Sequence, residues 1–234
     1  MKIIAVCTAL EEPHLGRTIQ HLYSQGVDKV IVSCPPDDQT TLAAIDTVER
    51  NLRPCLPGPF DQGAEITALA HWAAELGADW IIPFDADEYW CGPADWTIRQ
   101  ALSDLTCDVV VAPMYQYISP DFRHEEPKPL PKMAFRPCEG MLVAWGSHNV
   151  EGPDIGIAGR LVVRELQYES YGHFLAKIEK ARVLHSQPHM ADHQYGSHMW
   201  RLCNLTRDQL RAEWEQMMDV PVVYDPIPGS DKWT

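Results

Sequence analysis

The stretch Gly77-Ala78-Asp79-Trp80-Ile81-Ile82-Pro83-Phe84-Asp85-Ala86-Asp87-Glu88-Tyr89-Trp90 decides how this chain is read. An apolar strand from Trp80 to Phe84 runs straight into Asp85, Asp87 and Glu88. In an extended chain alternate side chains share a face, so Asp85 and Asp87 are expected on one side and Glu88 on the other. Ionised carboxylates that close together repel each other unless a cation sits between them. Oxygen ligands alone suit Mg²⁺ or Mn²⁺, ions that complete their shells with substrate phosphates. The segment asks for a metal and a phosphorylated ligand; the plainer alternative is a solvated acidic turn at a strand end.

Immediately upstream, Ile66, Leu69, Ala70, Ala73 and Leu76 form a helical face that Gly77 closes. Further back, Lys2 to Thr8 and Lys29 to Cys34 read as buried strands. Leu15, Ile19 and Leu22 mark one helix, ended by Gly26; Leu42, Ile45, Val48 and Leu52 mark another, stopped by Pro54. Strands that alternate with helices and read as continuous apolar runs predict an α/β fold. The expected architecture is a mostly parallel central sheet flanked by helices in a single domain. Ligands of such sheets bind beyond the carboxyl ends of the strands, where Asp85 and Asp87 stand.

Downstream, Asp108 to Tyr117 reads as one strand. Ser119 to Gly140, rich in proline and mixed charge, reads as a long irregular excursion, either a lid or acceptor flap or a mobile insertion. Met141 to Trp145 and Leu161 to Leu166 read as strands, and Ser170 as the cap of a helix carrying Phe174, Ile178 and Ala181. Thr206 and Gln209 form a capping box, with Leu205 and Leu210 as its hydrophobic staple. The tail from Tyr224 to Thr234 is expected to be loosely held.

The 234 residues carry 19 lysines and arginines against 33 acids, a formal charge of −14. That balance disfavours a nucleic-acid partner without excluding one. Seven cysteines with no C-x-x-C pattern suit a reducing compartment, with Cys7, Cys34 and Cys107 as core residues. There is no apolar run of membrane-spanning length and no signal-like start, so a soluble, cytoplasmic protein is expected.

In element order, and most sharply over Ile66 to Trp90, the chain resembles the GT-A glycosyltransferases. It is most similar to the small family 2 group whose acidic strand reads G-A-D-W-hydrophobic-D-A-D-E-aromatic-W. Fainter echoes lie in Lys132-Met133-Ala134-Phe135-Arg136-Pro137, in Gly146-Ser147-His148-Asn149-Val150 and in Tyr168 to Lys177. The resemblance implies a Rossmann-like GT-A domain over residues 1–220, with a nucleotide-sugar half (1–105), an acceptor half (106–220) and a tail (221–234). It implies an inverting hexosyltransferase that uses a UDP- or GDP-sugar with Mn²⁺ or Mg²⁺. Asp87 would bind the metal directly, and Asp85 through water or the donor ribose. Glu11 and Glu12 match the acidic residue that contacts the nucleoside, though a solvated turn explains them equally well.

This chain departs from the family pattern in several places. Ser33-Cys34-Pro35-Pro36 intervenes before Asp37 and Asp38, where relatives place a base-recognising Asp. Glu165 stands where they have a histidine, which makes it a candidate third metal ligand. Glu169 replaces an arginine, leaving Lys177, Arg136 and Lys132 as candidate phosphate partners. An inverting transfer needs a base within reach of the acceptor hydroxyl. His148, on a turn after a strand, is the first candidate and Glu88 the second. His189 and His193 have helical metal-pair spacing but lack the H-E-x-x-H glutamate, and a late histidine, His198, is a further possible ligand. The rival readings are a nucleotidyltransferase, a phosphohydrolase, and a binding module that has lost its base. The acceptor, which could include a modified DNA base, is not legible.

Overall fold

The computed structural model describes residues 1–46, 51–56, 61–153, 156–185 and 197–233. In chain order the strands and helices are β1 (Ile3–Thr8), α1 (Leu15–Ser24), β2 (Lys29–Ser33), α2 (Gln39–Ile45), β3 (Asn51–Arg53), α3 (Gln62–Glu75), β4 (Trp80–Pro83) and β5 (Glu88–Cys91). There follow α4 (Ile98–Leu102), β6 (Val109–Ala112), β7 (Met114–Ser119), β8 (Phe122–His124), β9 (Lys132–Phe135), β10 (Leu142–Val143), β11 (Val150–Glu151) and β12 (Gly156–Ala158). The chain closes with β13 (Val162–Glu165), α5 (Tyr171–His185), α6 (Ser197–Cys203), α7 (Arg207–Met218) and β14 (Val222–Tyr224).

The expected α/β architecture is present. Seven strands in the order β12-β6-β9-β4-β1-β2-β3 form the central sheet, parallel throughout except at β9. Alternation along the strands serves both faces. Ile3, Ala5 and Cys7 pack with Leu15, Ile19 and Leu22 of α1 and Ile98 of α4. Ile4 and Val6 pack with Ile66, Leu69, Ala70 and Ala73 of α3 on the other side. Both faces are therefore dry, which is why these strands read as unbroken apolar runs. Gly26 and Gly77 close α1 and α3 at φ +88° and +79°, as their place after the helix ends predicts. Cys7, Cys34 and Cys107 are buried, and among the described residues no disulfide forms.

A second sheet of five strands, β14-β8-β7-β13-β5, stands beside the first. Beyond it α5, α6 and α7 share a small core of Tyr168, Phe174, Ile178, Leu202 and Leu210. Ser170 accepts the His173 N–H at 3.1 Å to start α5, and Thr206 and Gln209 make the expected capping box.

Four expectations fail. The α2 helix ends at Ile45, and Leu52 lies in β3; Val48 is outside the described residues. Pro113 divides the expected 108–117 strand into β6 and β7, which join different sheets. The expected irregular excursion contains β8 and β9, and β9 inserts antiparallel between β4 and β6. The tail is docked: β14 pairs with β8, Ile227 is buried, and Trp233 lies 4.7 Å from the Tyr89 ring.

Candidate active site

The acidic tip is not extended. Glu88 N–H donates to the Asp85 carbonyl at 3.0 Å, closing Asp85-Ala86-Asp87-Glu88 into a turn. This turn carries the chain from β4 in the central sheet to β5 in the second one. The expected facing of Asp85 with Asp87, away from Glu88, is replaced by three separate directions.

Asp85 points towards β9. Phe135 pairs with Ile81 in antiparallel register, so Lys132, three residues earlier, arrives beside the end of β4. Its Nζ lies 2.7 Å from Asp85 Oδ2 and 2.7 Å from Glu88 Oε1. Glu88 is fully buried; its Oε2 accepts the Asp85 N–H at 3.1 Å and the Trp90 indole N–H at 3.3 Å. Burial pushes the Glu88 carboxyl up to about 8, against the pull of Lys132. A side chain so enclosed braces the turn; it does not face an acceptor, as the second-choice base would have to.

Asp87 points towards α5, where Lys177 Nζ lies 2.5 Å from its Oδ2. Burial alone would raise the Asp87 carboxyl, but the Lys177 and Lys132 charges hold it below the usual range. Lys177 is raised in turn: burial disfavours its charge, and Asp87 and Glu12 more than offset that. Glu165, at the end of β13, is the register partner of Glu88. Lys128 pairs with it at 2.6 Å, while burial and the Asp87 charge keep its carboxyl above the ordinary value.

His148 follows a turn in which Gly146 and Ser147 both have positive φ, +66° and +55°. A Cβ at Gly146 would meet the His148 ring at 2.6 Å, so both the turn and the close packing call for glycine. The ring's Nδ1 lies 2.8 Å from the Pro131 carbonyl, which can only accept, so Nδ1 carries the proton and Nε2 a lone pair. Burial and nearby Lys132 keep the imidazole below its usual pKa. Gln62, the first residue of α3, ties the parts together. Its amide donates to Asp85 Oδ1 at 3.3 Å, and its carbonyl accepts the Gly146 N–H at 3.1 Å.

The remaining candidates separate. Glu12 borders the site, with Oε1 2.9 Å from Lys180. Glu11 has an exposed side chain; its backbone, at φ +52°, donates to Asp38 Oδ2 at 2.7 Å. Asp38 is spent on that contact and on capping α2 through Thr41 N–H at 3.0 Å. Arg136 does not join the cluster. It lies beyond the far end of β9, roughly 13 Å from Lys132 along the strand direction. There it donates to the Leu105 and Cys107 carbonyls and stacks 4.7 Å from the Trp80 ring centre. His189, His193 and the side chain of His198 lie outside the described residues.

Lys128, Lys180 and Gln62 escaped the sequence reading. Each is an ordinary polar residue whose partner is fixed only by sheet register or helix docking. One local signal was present: Gln62 follows Asp61, which caps α3 through the Ala64 N–H at 3.1 Å, so the helix start was readable.

No family model and no curated protein matches the chain. Among solved structures, S. aureus TarS in complex with UDP-GlcNAc matches at 11% identity and TM-score 0.48, over 92% of this chain and 72% of that one. A putative nucleotide-diphospho-sugar transferase from Desulfovibrio desulfuricans matches at 12% and 0.39, over 92% of this chain and 99% of that one. The glucosyl-3-phosphoglycerate synthase of Mycobacterium tuberculosis, in complex with Mn²⁺, UDP and phosphoglyceric acid, matches at 22% and 0.36, over 49% of this chain and 43% of that one. The chain likewise spans only 41% of another matching mycobacterial protein. Likenesses of this size carry no argument about activity, which has to be argued from the site itself.

Proposed function

We propose that this chain is a GT-A, family 2-like glycosyltransferase that moves a sugar from a UDP- or GDP-sugar to an acceptor hydroxyl with inversion. One observation carries the reading. Side chains from β9, β13, α3 and α5 gather about the Asp85–Glu88 turn, with the Gly146 N–H tied in through Gln62, at the carboxyl edge of β1 and β4. Mixed carboxylates and lysines at that edge suit a ligand that arrives as a diphosphate.

The residues fit a divalent cation of the Mg²⁺ or Mn²⁺ class. Asp85 and Asp87 offer hard oxygens, and Asp85 is 38% exposed. Such ions take one or two carboxylates and draw their remaining ligands from substrate phosphates, so an incomplete protein set is the expected form. Asp87 and Asp85 would hold the ion once its charge draws them off Lys177 and Lys132, while Glu165 stays paired with Lys128. When bound it would offset the charge that builds on the leaving nucleoside diphosphate.

The chain's own residues do the rest. Lys177 and Lys132 stand as counter-charges to the carboxylates and become partners for the phosphates as the donor enters. Glu12, tied to Lys180, borders the nucleoside. His148 presents a neutral Nε2 lone pair and accepts the proton of the acceptor hydroxyl as that oxygen attacks the sugar. The buried Glu88 holds Lys132 and the turn in register. Helices among the described residues are not long and apolar enough to cross a membrane.

Calorimetric titration with UDP- and GDP-sugars, with and without Mn²⁺, tests the reading. Mn²⁺-dependent binding to the wild type, weakened at least about tenfold in Asp87→Asn, is expected, tenfold being about 1.4 kcal/mol. Equal donor affinity in the two proteins would sink the proposal.

A further inference from the structure

At the starts of α1 and α5, close to the acidic turn, lies a group of metal-binding side chains. His14, Glu169 and His173 place one donor atom each within 4.8 Å of the others, and among the described residues no other three histidines, cysteines or acids do so. His14 Nε2 is 3.7 Å from Glu169 Oε1, and the two imidazole rings meet edge to face with centres 5.5 Å apart. Around a tetrahedral ion with bonds of about 2.0–2.2 Å, donors sit roughly 3.3–3.5 Å apart. The group is thus within a small side-chain movement of a coordination shell.

We propose that His14, Glu169 and His173 bind one divalent transition-metal ion of the zinc class, at a site separate from the acidic turn. Two imidazoles and a carboxylate are borderline ligands that select zinc, cobalt or nickel over magnesium; the oxygen-only turn prefers the opposite. The site is reachable, since the His14 and Glu169 side chains are 41% and 29% exposed. His14 stands at the start of α1 but makes no capping hydrogen bond, so its ring is not spent on the helix. His173 Nδ1 accepts the Glu169 N–H at 3.3 Å. Binding through Nε2 shifts the ring proton to Nδ1 and gives up only that long bond.

Two cations oppose the ion. The Arg17 guanidinium contacts Glu169 Oε1, and Lys177 lies one helical turn beyond His173. Their presence predicts a modest affinity, held down chiefly by Arg17. The site's position gives it a consequence whatever the donor reaction proves to be. It joins the start of α1 to the start of α5, and α5 carries Lys177 and Lys180 against Asp87 and Glu12. An ion there ties the start of α5, and with it Lys177 and Lys180, to the start of α1.

Co²⁺ titration of the tag-free chain, followed by visible absorption and then by Zn²⁺ displacement, tests the site. The wild type is expected to bind one Co²⁺ that Zn²⁺ displaces. His14→Gln and His173→Gln should weaken binding at least tenfold, Asp87→Asn should leave it unchanged, and Arg17→Met should tighten it. If His173→Gln does not fold, the exposed His14→Gln variant decides alone. Co²⁺ binding that neither histidine variant alters, or that Asp87→Asn abolishes, overturns the proposal.

Discussion

Two charged clusters hold the second sheet in place, and they are built on opposite rules. In the tail cluster, Asp225 accepts from Arg164 and Arg123, each at 2.9 Å. Tyr117 donates its hydroxyl to the Asp225 carbonyl at 2.8 Å and accepts from Arg164 Nε at 2.9 Å. There two guanidinium groups share the one Asp225 carboxylate, each on its own oxygen, a geometry that suits a carboxylate. At the acidic turn, Lys132 is shared between Asp85 and Glu88, Lys177 reaches Asp87 from a separate helix, and Asp85 stays partly open. A closed network stabilises a fold. An incomplete one, in which Asp85 and Lys177 stay partly open, can exchange a partner for a ligand.

The largest expected effect falls on the closed cluster. Asp225→Ala leaves Arg164, only 7% exposed, without its carboxylate. Asp225 itself is 27% exposed, so the cost falls short of the roughly 3–5 kcal/mol of a fully buried pair, at about 2–3 kcal/mol. For a chain of this length that lowers the melting temperature by roughly 4–12 °C. Donor affinity in the surviving folded protein should not change. A melting shift under about 2 °C, near 1 kcal/mol or less, would mean that the tail network is decorative.

Lys177→Met probes the open cluster and should do the reverse. The pair it breaks is about a fifth exposed on each side. Its loss should cost less than about 2 kcal/mol of stability, since solvent screens what remains. Nucleoside diphosphate binding in Mn²⁺ should fall about tenfold, or 1.4 kcal/mol, while Mn²⁺ alone binds at least as well because Asp87 is freed. If Mn²⁺ binding also collapses, Lys177 is holding the turn's shape and is not standing in for the ion.

The same contrast sorts what the sequence could show. The central strands, α1, α3 and the caps at Ser170 and Thr206 were readable because each is a local pattern: an apolar run, a helical face, a hydroxyl before a helix. Asp85 and Asp87 were readable as a candidate site because acids at the end of a buried strand are out of keeping with what precedes them. Lys132 and Lys177 were readable only as candidate phosphate partners; their pairing with Asp85 and Asp87 was not legible, since Lys132 reaches Asp85 only through the register of β9 against β4. That strand is hidden among Pro127, Pro129, Pro131 and Pro137, which locally argue for a loop. The Asp85–Glu88 turn was missed for a related reason. Nothing in D-A-D-E marks a change of sheet; long-range pairing of β5 with β13 imposes it. The tail has prolines and a glycine that suggest looseness, yet Asp225 and Trp233 find partners from other elements.

Glu88 supplies the finest discrimination between the clusters. Burial raises its carboxyl from 4.5 to about 8 in the folded chain. The folded protein therefore keeps a proton there that the unfolded chain releases near 4.5. Stability must then fall as pH rises from about 4.5 towards 8, because the native state binds more protons across that window. Asp87 has the opposite sign: its carboxyl is lowered, so its contribution is present above 3.8 and is lost as pH falls below it. The two effects thus occupy different pH ranges. Glu88→Gln keeps an acceptor for the Asp85 and Trp90 N–H groups but cannot ionise, so its melting temperature should vary less between pH 5 and 8 than the wild type's. The expected difference across that range is at most about 3 kcal/mol, several degrees in melting temperature, the pull of Lys132 being already contained in the raised value. Parallel curves for the two proteins would mean that Lys132 keeps Glu88 ionised throughout. The turn would then be a closed ion network like the one at Asp225, and the distinction between the clusters would fail.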